Sequence, residues 1–199
     1  MLCIGRLLSL VVALIALPAA GLAQADDTDL WRALKEGRAV ALMRHAYAPG
    51  VGDPENFRLD DCSTQRNLSV EGAIEAQRTG DLFRAHGIEE ADVRSSQWCR
   101  CLETGEWLKL GPVEAMPALN SFFADRAGAP EQTAAVRDFL ATRKSMEPLV
   151  LVTHQVNITA LTDVTPRSGE IVVITPPEDA SGAIGVLGRI SPPQEPAAN

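Results

Sequence analysis

Three stretches of this chain carry residues fit for chemistry on an anion. Val40-Ala41-Leu42-Met43 runs into Arg44 and His45, and the apolar run that starts at Leu149 passes through Thr153 to His154. Two of the three histidines therefore stand at the ends of short, bounded apolar runs, the pattern of strands buried on both faces. The ligand crevice of an open α/β sheet lies beyond the carboxyl ends of its strands. Parallel, neighbouring strands would open both imidazoles into one crevice. The third stretch is Ser95-Ser96-Gln97-Trp98-Cys99-Arg100. Ser96 is placed to cap a helix, and helical side chains lean toward the N-terminus, which aims Arg100 at the same strand ends. The helix start is expected to add free N–H groups and a dipole that favours an anion. A neutral imidazole can attack phosphorus, and guanidinium groups clamp phosphate oxygens bidentately. Two histidines and two arginines around one point therefore describe an oxyanion pocket. A metal site would not crowd guanidinium groups around its cation, and Cys99-x-Cys101 is not a usual zinc spacing. A Ser-His-Asp hydrolase needs a G-x-S-x-G elbow, which the chain lacks. No metal or other cofactor is expected.

The elements that must hold these residues follow in order. Asp27 or Thr28 caps a short helix carrying Leu30 and Leu34, closed by Gly37, and a strand over 38–43 follows. Residues 47–66 form a long polar loop with Pro49, Gly50, Gly52, Asp53 and Pro54 as turn residues. A loop this long leaving the Arg-His end of a strand reads as the rim of the site. Ser69 caps the next helix, which carries Ala73, Ile74, Leu82 and Phe83 and ends at Gly87. His86 falls in its last turn, where an imidazole suits the helix dipole rather than a site. A strand over 92–95 precedes the Ser96 helix, whose apolar stripe is Trp98, Cys101, Leu102, Gly105 and Leu108. Gly111-Pro112 ends it, and 116–120 reads as a weak strand. Pro130 starts another helix with Val136, Phe139 and Leu140 facing inward. Beyond the 149–153 strand, helical turns cover 156–161, and strands over 170–175 and 183–190 pair with each other. Strands alternating with helices predict an α/β fold with a mostly parallel sheet.

Residues 1–25 have a basic start, an apolar run from Leu7 to Leu17 and a terminal Ala23-Gln24-Ala25, the plan of a cleaved secretory signal peptide. Cleavage after Ala23 is the alternative. The apolar run is shorter than the roughly 20 residues of a membrane span, so no stable membrane insertion is expected after cleavage. The folded domain is assigned to 26–190 and a Pro-rich disordered tail to 191–199. The expected location is periplasmic or secreted. The chain carries a net charge of −8, and losing Arg6 with the signal makes it more acidic. This argues against nucleic acid and anionic membranes as partners. Cys62, Cys99 and Cys101 remain after cleavage, an odd count in an oxidising compartment. A Cys62–Cys99 bridge is favoured, with Cys62–Cys101 as the alternative.

Leu42-Met43-Arg44-His45-Ala46 resembles the arginine-histidine signature of the histidine phosphatases, the phosphoglycerate mutase-like superfamily. Arg66-Asn67-Leu68-Ser69-Val70-Glu71-Gly72 with Gln77 resembles the next block of that family. Ser95-Ser96 with Arg100 and Thr104 resembles its second-arginine block, and Thr153-His154 its second-histidine block. The four blocks come in the family's order. The fuller wording is similar to exported lipopolysaccharide core heptose phosphate phosphatases: Asp61-Cys62-Ser63-Thr64-Gln65-Arg66-Asn67-Leu68-Ser69, Trp98-Cys99-Arg100, Leu119-Asn120-Ser121-Phe122-Phe123 and Thr153-His154-Gln155-Val156-Asn157-Ile158.

The resemblance implies a three-layer α/β/α sandwich and a phosphatase that needs no cofactor. It implies His45 as the nucleophile that becomes phosphohistidine, with Arg44, Arg100 and His154 stabilising the transferring group. Arg66 becomes a third phosphate ligand and Gln155 a substrate contact. The expected substrate is a phosphorylated small molecule or envelope glycan. The chain lacks the Glu-Gly pattern that supplies the acid in the mutase branch, and Asp125 is the candidate general acid in its place. A short chain without the longer lid insertions argues against mutase activity. The alternative is a phosphoryl-binding protein of the same fold with little or no turnover.

Overall fold

A computed structural model describes residues 27–192. Residues 1–25, assigned above to a signal peptide, and most of the assigned tail lie outside them. Six strands form one sheet: β1 Val40–Arg44, β2 Asp92–Ser95, β3 Val113–Ala115, β4 Leu149–Thr153, β5 Ile171–Thr175 and β6 Gly185–Ile190. Their spatial order is β3-β2-β4-β1-β5-β6. The first four run parallel, while β5 is antiparallel to β1 and β6 to β5. The mostly parallel α/β architecture is thus as expected, with an antiparallel hairpin on one side.

The central strands alternate between two cores. Ala41, Met43, Val150, Val152, Ile171 and Val173 face one, and Val40, Leu42, Leu149, Leu151, Val172 and Ile174 face the other. That is the two-residue period of a sheet buried on both sides. The first core is covered by α1 Asp27–Lys35, α2 Val70–Ala85 and α3 Cys99–Leu108, through Leu30, Leu34, Phe83, Cys101 and Leu108. The second is covered by α4 Ala129–Thr142 and α5 Gln155–Thr162, through Val136, Leu140, Ile158 and Leu161. Among the described residues, no helix is long and apolar enough to cross a membrane.

Ser69 caps α2 as the sequence indicates, its hydroxyl accepting from the Gly72 amide at 3.1 Å. Exposed His86 stacks on Trp31 with ring centroids 4.3 Å apart, remote from the strand ends. Two expectations need correction. The weak strand falls earlier, at β3, and Pro117–Leu119 is a 3-10 turn. Proline suits that turn because its missing N–H and fixed φ are tolerated there. The second correction is the start of α3, at Cys99 with Trp98 as its cap. The Ser96 hydroxyl accepts from the Trp98 amide at 3.3 Å but is committed elsewhere as well.

Candidate active site

The carboxyl ends of β1, β4 and β2 lie side by side. Arg44 pairs with Thr153 in register and Ser95 with Val152. The His45 amide donates to the Thr153 carbonyl at 2.9 Å and the Ser96 amide to the Val152 carbonyl at 2.9 Å, so the ladders carry just past the strands. His45 and His154 consequently emerge together, with ring centroids 5.6 Å apart. They line a cavity of about 190 Å³ with Arg44, Gly50–Asp53 and Arg66 of the long loop, Arg100 of α3, Ser121, Phe123 and Arg126, and Gln155 and Val156 of α5. Of the residues singled out in the sequence, the fold gathers Arg44, His45, Arg66, Arg100, His154 and Gln155.

Asp125 is not among them. Its carboxylate accepts from the Ala127 amide at 3.0 Å and caps the short 3-10 turn Arg126–Gly128 on the surface. The turn faces Arg126 toward the cavity, with its guanidinium 5.9 Å from the Phe123 ring centre. Apo geometry alone does not remove a candidate acid, but this one is engaged in a local cap.

The two histidines are held in defined tautomers by their partners. His45 Nδ1 lies 2.8 Å from the Ala46 carbonyl, which can only accept, so Nδ1 carries the proton and Nε2 is left with its lone pair. His154 Nε2 lies 2.9 Å from the Ser96 hydroxyl, and that hydroxyl donates onward to Asn120 Oδ1 at 3.3 Å. Arg100 Nη2 approaches His154 Nδ1 at 3.5 Å as a donor. His154 is therefore Nε2-protonated. Burial, then the Arg100 charge, pushes His45 down to about 3. Burial pushes His154 well below its ordinary value too, with His45 and Arg100 adding to the effect. Both imidazoles are neutral in the free protein near pH 7, as a nitrogen nucleophile requires.

The arginines are less fully satisfied. Arg44 Nη1 donates to the Pro166 carbonyl at 3.1 Å. Arg66 donates through Nε to the Gly52 carbonyl at 2.8 Å and through Nη1 to the Ala48 carbonyl at 2.5 Å, bracing the loop. Arg100, only 3 % exposed, donates to Asp53, to the Arg66 carbonyl and toward His154. The Nε atoms of both Arg44 and Arg100 are buried and have no hydrogen-bond partner. A buried charged donor without an acceptor is costly, and both belong to arginines that line the cavity with His45.

Side chains take three of the N–H groups around the start of α3: Asn120 Oδ1 accepts from Gln97, Ser96 from Trp98, and Gln65 Oε1 from Cys99. The same contacts tie α3 to the loop. Cys62 and Cys99 form the disulfide, with Cα atoms 5.7 Å apart. Cys101 is the free thiol, buried and pushed up to about 12 by burial. Thr104 accepts from the Ala46 amide at 3.0 Å and fixes the chain just past His45.

Asp53 is the site residue that sequence reasoning missed, having been read only as a turn former. Ser96 and Asn120 were recognised as motif letters, without their role in orienting His154.

No family profile and no curated protein matches the chain. Its likeness is to solved structures. The protein histidine phosphatase SixA complexed with tungstate is 19 % identical, with a TM-score of 0.54, covering 77 % of this chain and 97 % of that one. The phosphoserine phosphatase of Entamoeba histolytica, complexed with 3-phosphoglyceric acid, is 12 % identical with a TM-score of 0.54, over 77 % and 96 % of the two chains. The mycobacterial glucosyl-3-phosphoglycerate phosphatase is 14 % identical with a TM-score of 0.51, over 75 % and 96 %. The fold is phosphoglycerate mutase-like. Within that fold, the cavity lies at the carboxyl ends of the parallel strands, where an open α/β sheet places its ligand site.

Proposed function

We propose that this chain is an exported phosphatase that hydrolyses phosphomonoesters through a phosphohistidine on His45, acting on phosphorylated small molecules or cell-envelope sugars. One observation carries the reading: the free Nε2 of a neutral, oriented His45 shares a pocket with two buried guanidinium N–H groups that lack acceptors. A bound phosphoryl group would supply those acceptors and meet the nucleophile at once. Nε2 forms the bond to phosphorus as the ester oxygen leaves with the bonding pair and takes a proton from solvent. Water then attacks the phosphoryl group and gives up a proton to solvent, the P–N bond breaks, and inorganic phosphate departs from a neutral imidazole. Arg44, Arg100 and His154 surround the charge that spreads over the oxygens, the main requirement of phosphoryl transfer. Arg66 and Gln155 also line the pocket and serve as substrate contacts in this reading. The tetrahedral oxyanion tungstate on the SixA neighbour is consistent with such a pocket in this fold. Export rests on the sequence of residues 1–25, and the disulfide suits an oxidising compartment.

A second reading is favoured by a specific observation. Asp125 caps a surface turn and is not among the residues lining the cavity, and Asp53, which lines it, is held as a carboxylate. Among the described residues that line the cavity, no protonated carboxyl serves a poor leaving group, as a phosphoryl-binding protein with little turnover would show. Labelling decides between them. Exposure to a phosphate-labelled aryl phosphate should give a phosphoenzyme stable to alkali and lost in acid, and His45→Ala should abolish both label and turnover. A chain that binds phosphate yet neither labels nor turns over aryl or sugar phosphates would establish the binding module instead.

A further inference from the structure

Asp53 carries a carboxylate whose every lone-pair direction is occupied. Oδ1 accepts from Arg100 Nη1 at 2.7 Å and from the Arg66 amide at 3.1 Å. Oδ2 accepts from Arg100 Nη2 at 3.2 Å and from the Trp98 indole N–H at 3.0 Å. Burial alone would raise its pKa, but the hydrogen bonds and charge of Arg100, with Trp98 and the Arg66 amide, hold it below the ordinary carboxylate value. Two of the four bonds do not involve Arg100. They fix the carboxylate to the loop and to the α3 cap whatever that guanidinium does. Local conformation serves the same end: Gly52 adopts φ +71°, in the left-handed region that favours glycine, and turns Asp53 toward α3. Phe57 stacks on Trp98 with centroids 5.0 Å apart and covers the indole.

A guanidinium offers an anion two bidentate edges, one built from both Nη atoms and one from Nε and the neighbouring Nη2. Asp53 fills the first edge of Arg100. The second lacks a full acceptor: Nε is buried without a partner, and the remaining Nη2–H makes only a 3.5 Å approach to His154 Nδ1. We propose that Asp53 is a positioning residue, which grips the Nη fork of Arg100 and thereby presents its Nε–Nη2 edge to the transferring phosphoryl group. This rests on the phosphatase reading of the same pocket. The gain is preorganisation: a guanidinium fixed before binding need not be ordered in the transition state. The opposite reading makes Asp53 a plug in the seat of the phosphate, to be expelled by substrate. It would require breaking the indole and amide bonds as well as both bonds to Arg100.

The experiment compares wild type, Asp53→Asn, Arg100→Ala and the double variant. It measures kcat and KM on an aryl phosphate and the affinities for orthovanadate and inorganic phosphate. Asp53→Asn should lower kcat by about 10- to 100-fold while KM moves by less than about threefold, as expected when geometry rather than uniform binding is lost. Vanadate affinity should fall with kcat, and phosphate affinity by much less. In the Arg100→Ala background Asp53→Asn should add no further loss, because the residue acts through that arginine. Trp98→Phe removes the indole anchor of Oδ2 and keeps an aromatic ring beside Phe57 and His154. It should show the same pattern more weakly, and it replaces Asp53→Asn if that variant fails to fold. Tighter phosphate binding in Asp53→Asn would overturn the proposal in favour of the plug, and equal losses in both backgrounds would reduce Asp53 to a structural residue. If wild type hydrolyses no phosphomonoester, the phosphatase reading fails while the vanadate and phosphate affinities still decide the role of Asp53. A wild type that binds neither anion overturns both.

Discussion

At the scale of single residues, the site works by leaving each group one task. The Ala46 carbonyl takes the His45 Nδ1 proton, so Nε2 can only accept or attack. The Ser96 hydroxyl takes the His154 Nε2 proton, and Asn120 holds that hydroxyl. Nitrogen NMR of the imidazoles should therefore show an Nδ1-protonated His45 and an Nε2-protonated His154, both still neutral at about pH 6.5, where a free imidazole is half protonated. A His45 midpoint near that free value would contradict the buried, arginine-flanked environment. Ser96→Ala removes one acceptor from His154. A net hydrogen bond is worth about 1 kcal/mol, so kcat on an aryl phosphate should fall by about fivefold, with His45 labelling retained. The tautomers were not legible in the sequence, because they depend on which acceptor faces each ring. Asp53 was equally hidden: it is one of several loop carboxylates, and its partner Arg100 lies 47 positions away.

At the scale of elements, two close approaches fix where α2 sits. A Cβ on Gly80 would stand 2.0 Å from the Leu108 carbonyl oxygen of α3, and one on Gly72 would stand 2.0 Å from the Tyr47 carbonyl oxygen. Both neighbours are backbone, so neither can turn aside. Gly80→Ala should destabilise the fold by about 1–3 kcal/mol with little change in KM, since the contact is remote from the cavity. Gly72→Ala strains the start of the loop that carries Asp53 and Arg66, and should lower kcat as well as stability; unchanged activity would show that the loop absorbs the shift. The disulfide ties the far end of that loop to the residue before Arg100. Removing it with Cys62→Ser and Cys99→Ser should cost about 3–4 kcal/mol by the chain-entropy argument for a separation of 37 residues. Periodicity and caps made β1, β4, β5, α2 and α4 legible. The start of α3 was misplaced because Ser96 looks like a cap locally while its hydroxyl also serves His154. The Gln97 and Cys99 N–H groups are taken for a related reason: Asn120 and Gln65 reach them from elsewhere in the chain.

At the scale of the whole molecule, the function constrains the pH range in which the fold is stable. Two parallel strands end together and deliver two imidazoles into a pocket of arginines. Two similar apolar runs, each leading into a histidine, were legible in the sequence, whereas the parallel pairing of β1 with β4 comes from the fold. The antiparallel pairing of β1 with β5 carried no local signal. The shared pocket makes protonation of either imidazole unfavourable in the native state, through burial first and the arginine charges after it. In the unfolded chain both regain a pKa near ~6.5. Between that value and the native His45 value of about 3, the unfolded state binds protons that the native state excludes. Stability must then rise with pH across this window and be lost as pH falls through it, by up to roughly tenfold in the folding equilibrium per pH unit for each group. Urea unfolding at about pH 7, 6 and 5 should show this slope before most carboxylates, with pKa values near ~4, begin to titrate. His45→Asn should remove about one proton from the slope. Inorganic phosphate should reduce it further in wild type, because an anion on Arg44 and Arg100 offsets the charges that oppose protonation and binds the native state alone. A folding equilibrium that stays flat from about pH 7 to 5, or a slope untouched by His45→Asn, would mean that the pocket does not hold its histidines neutral.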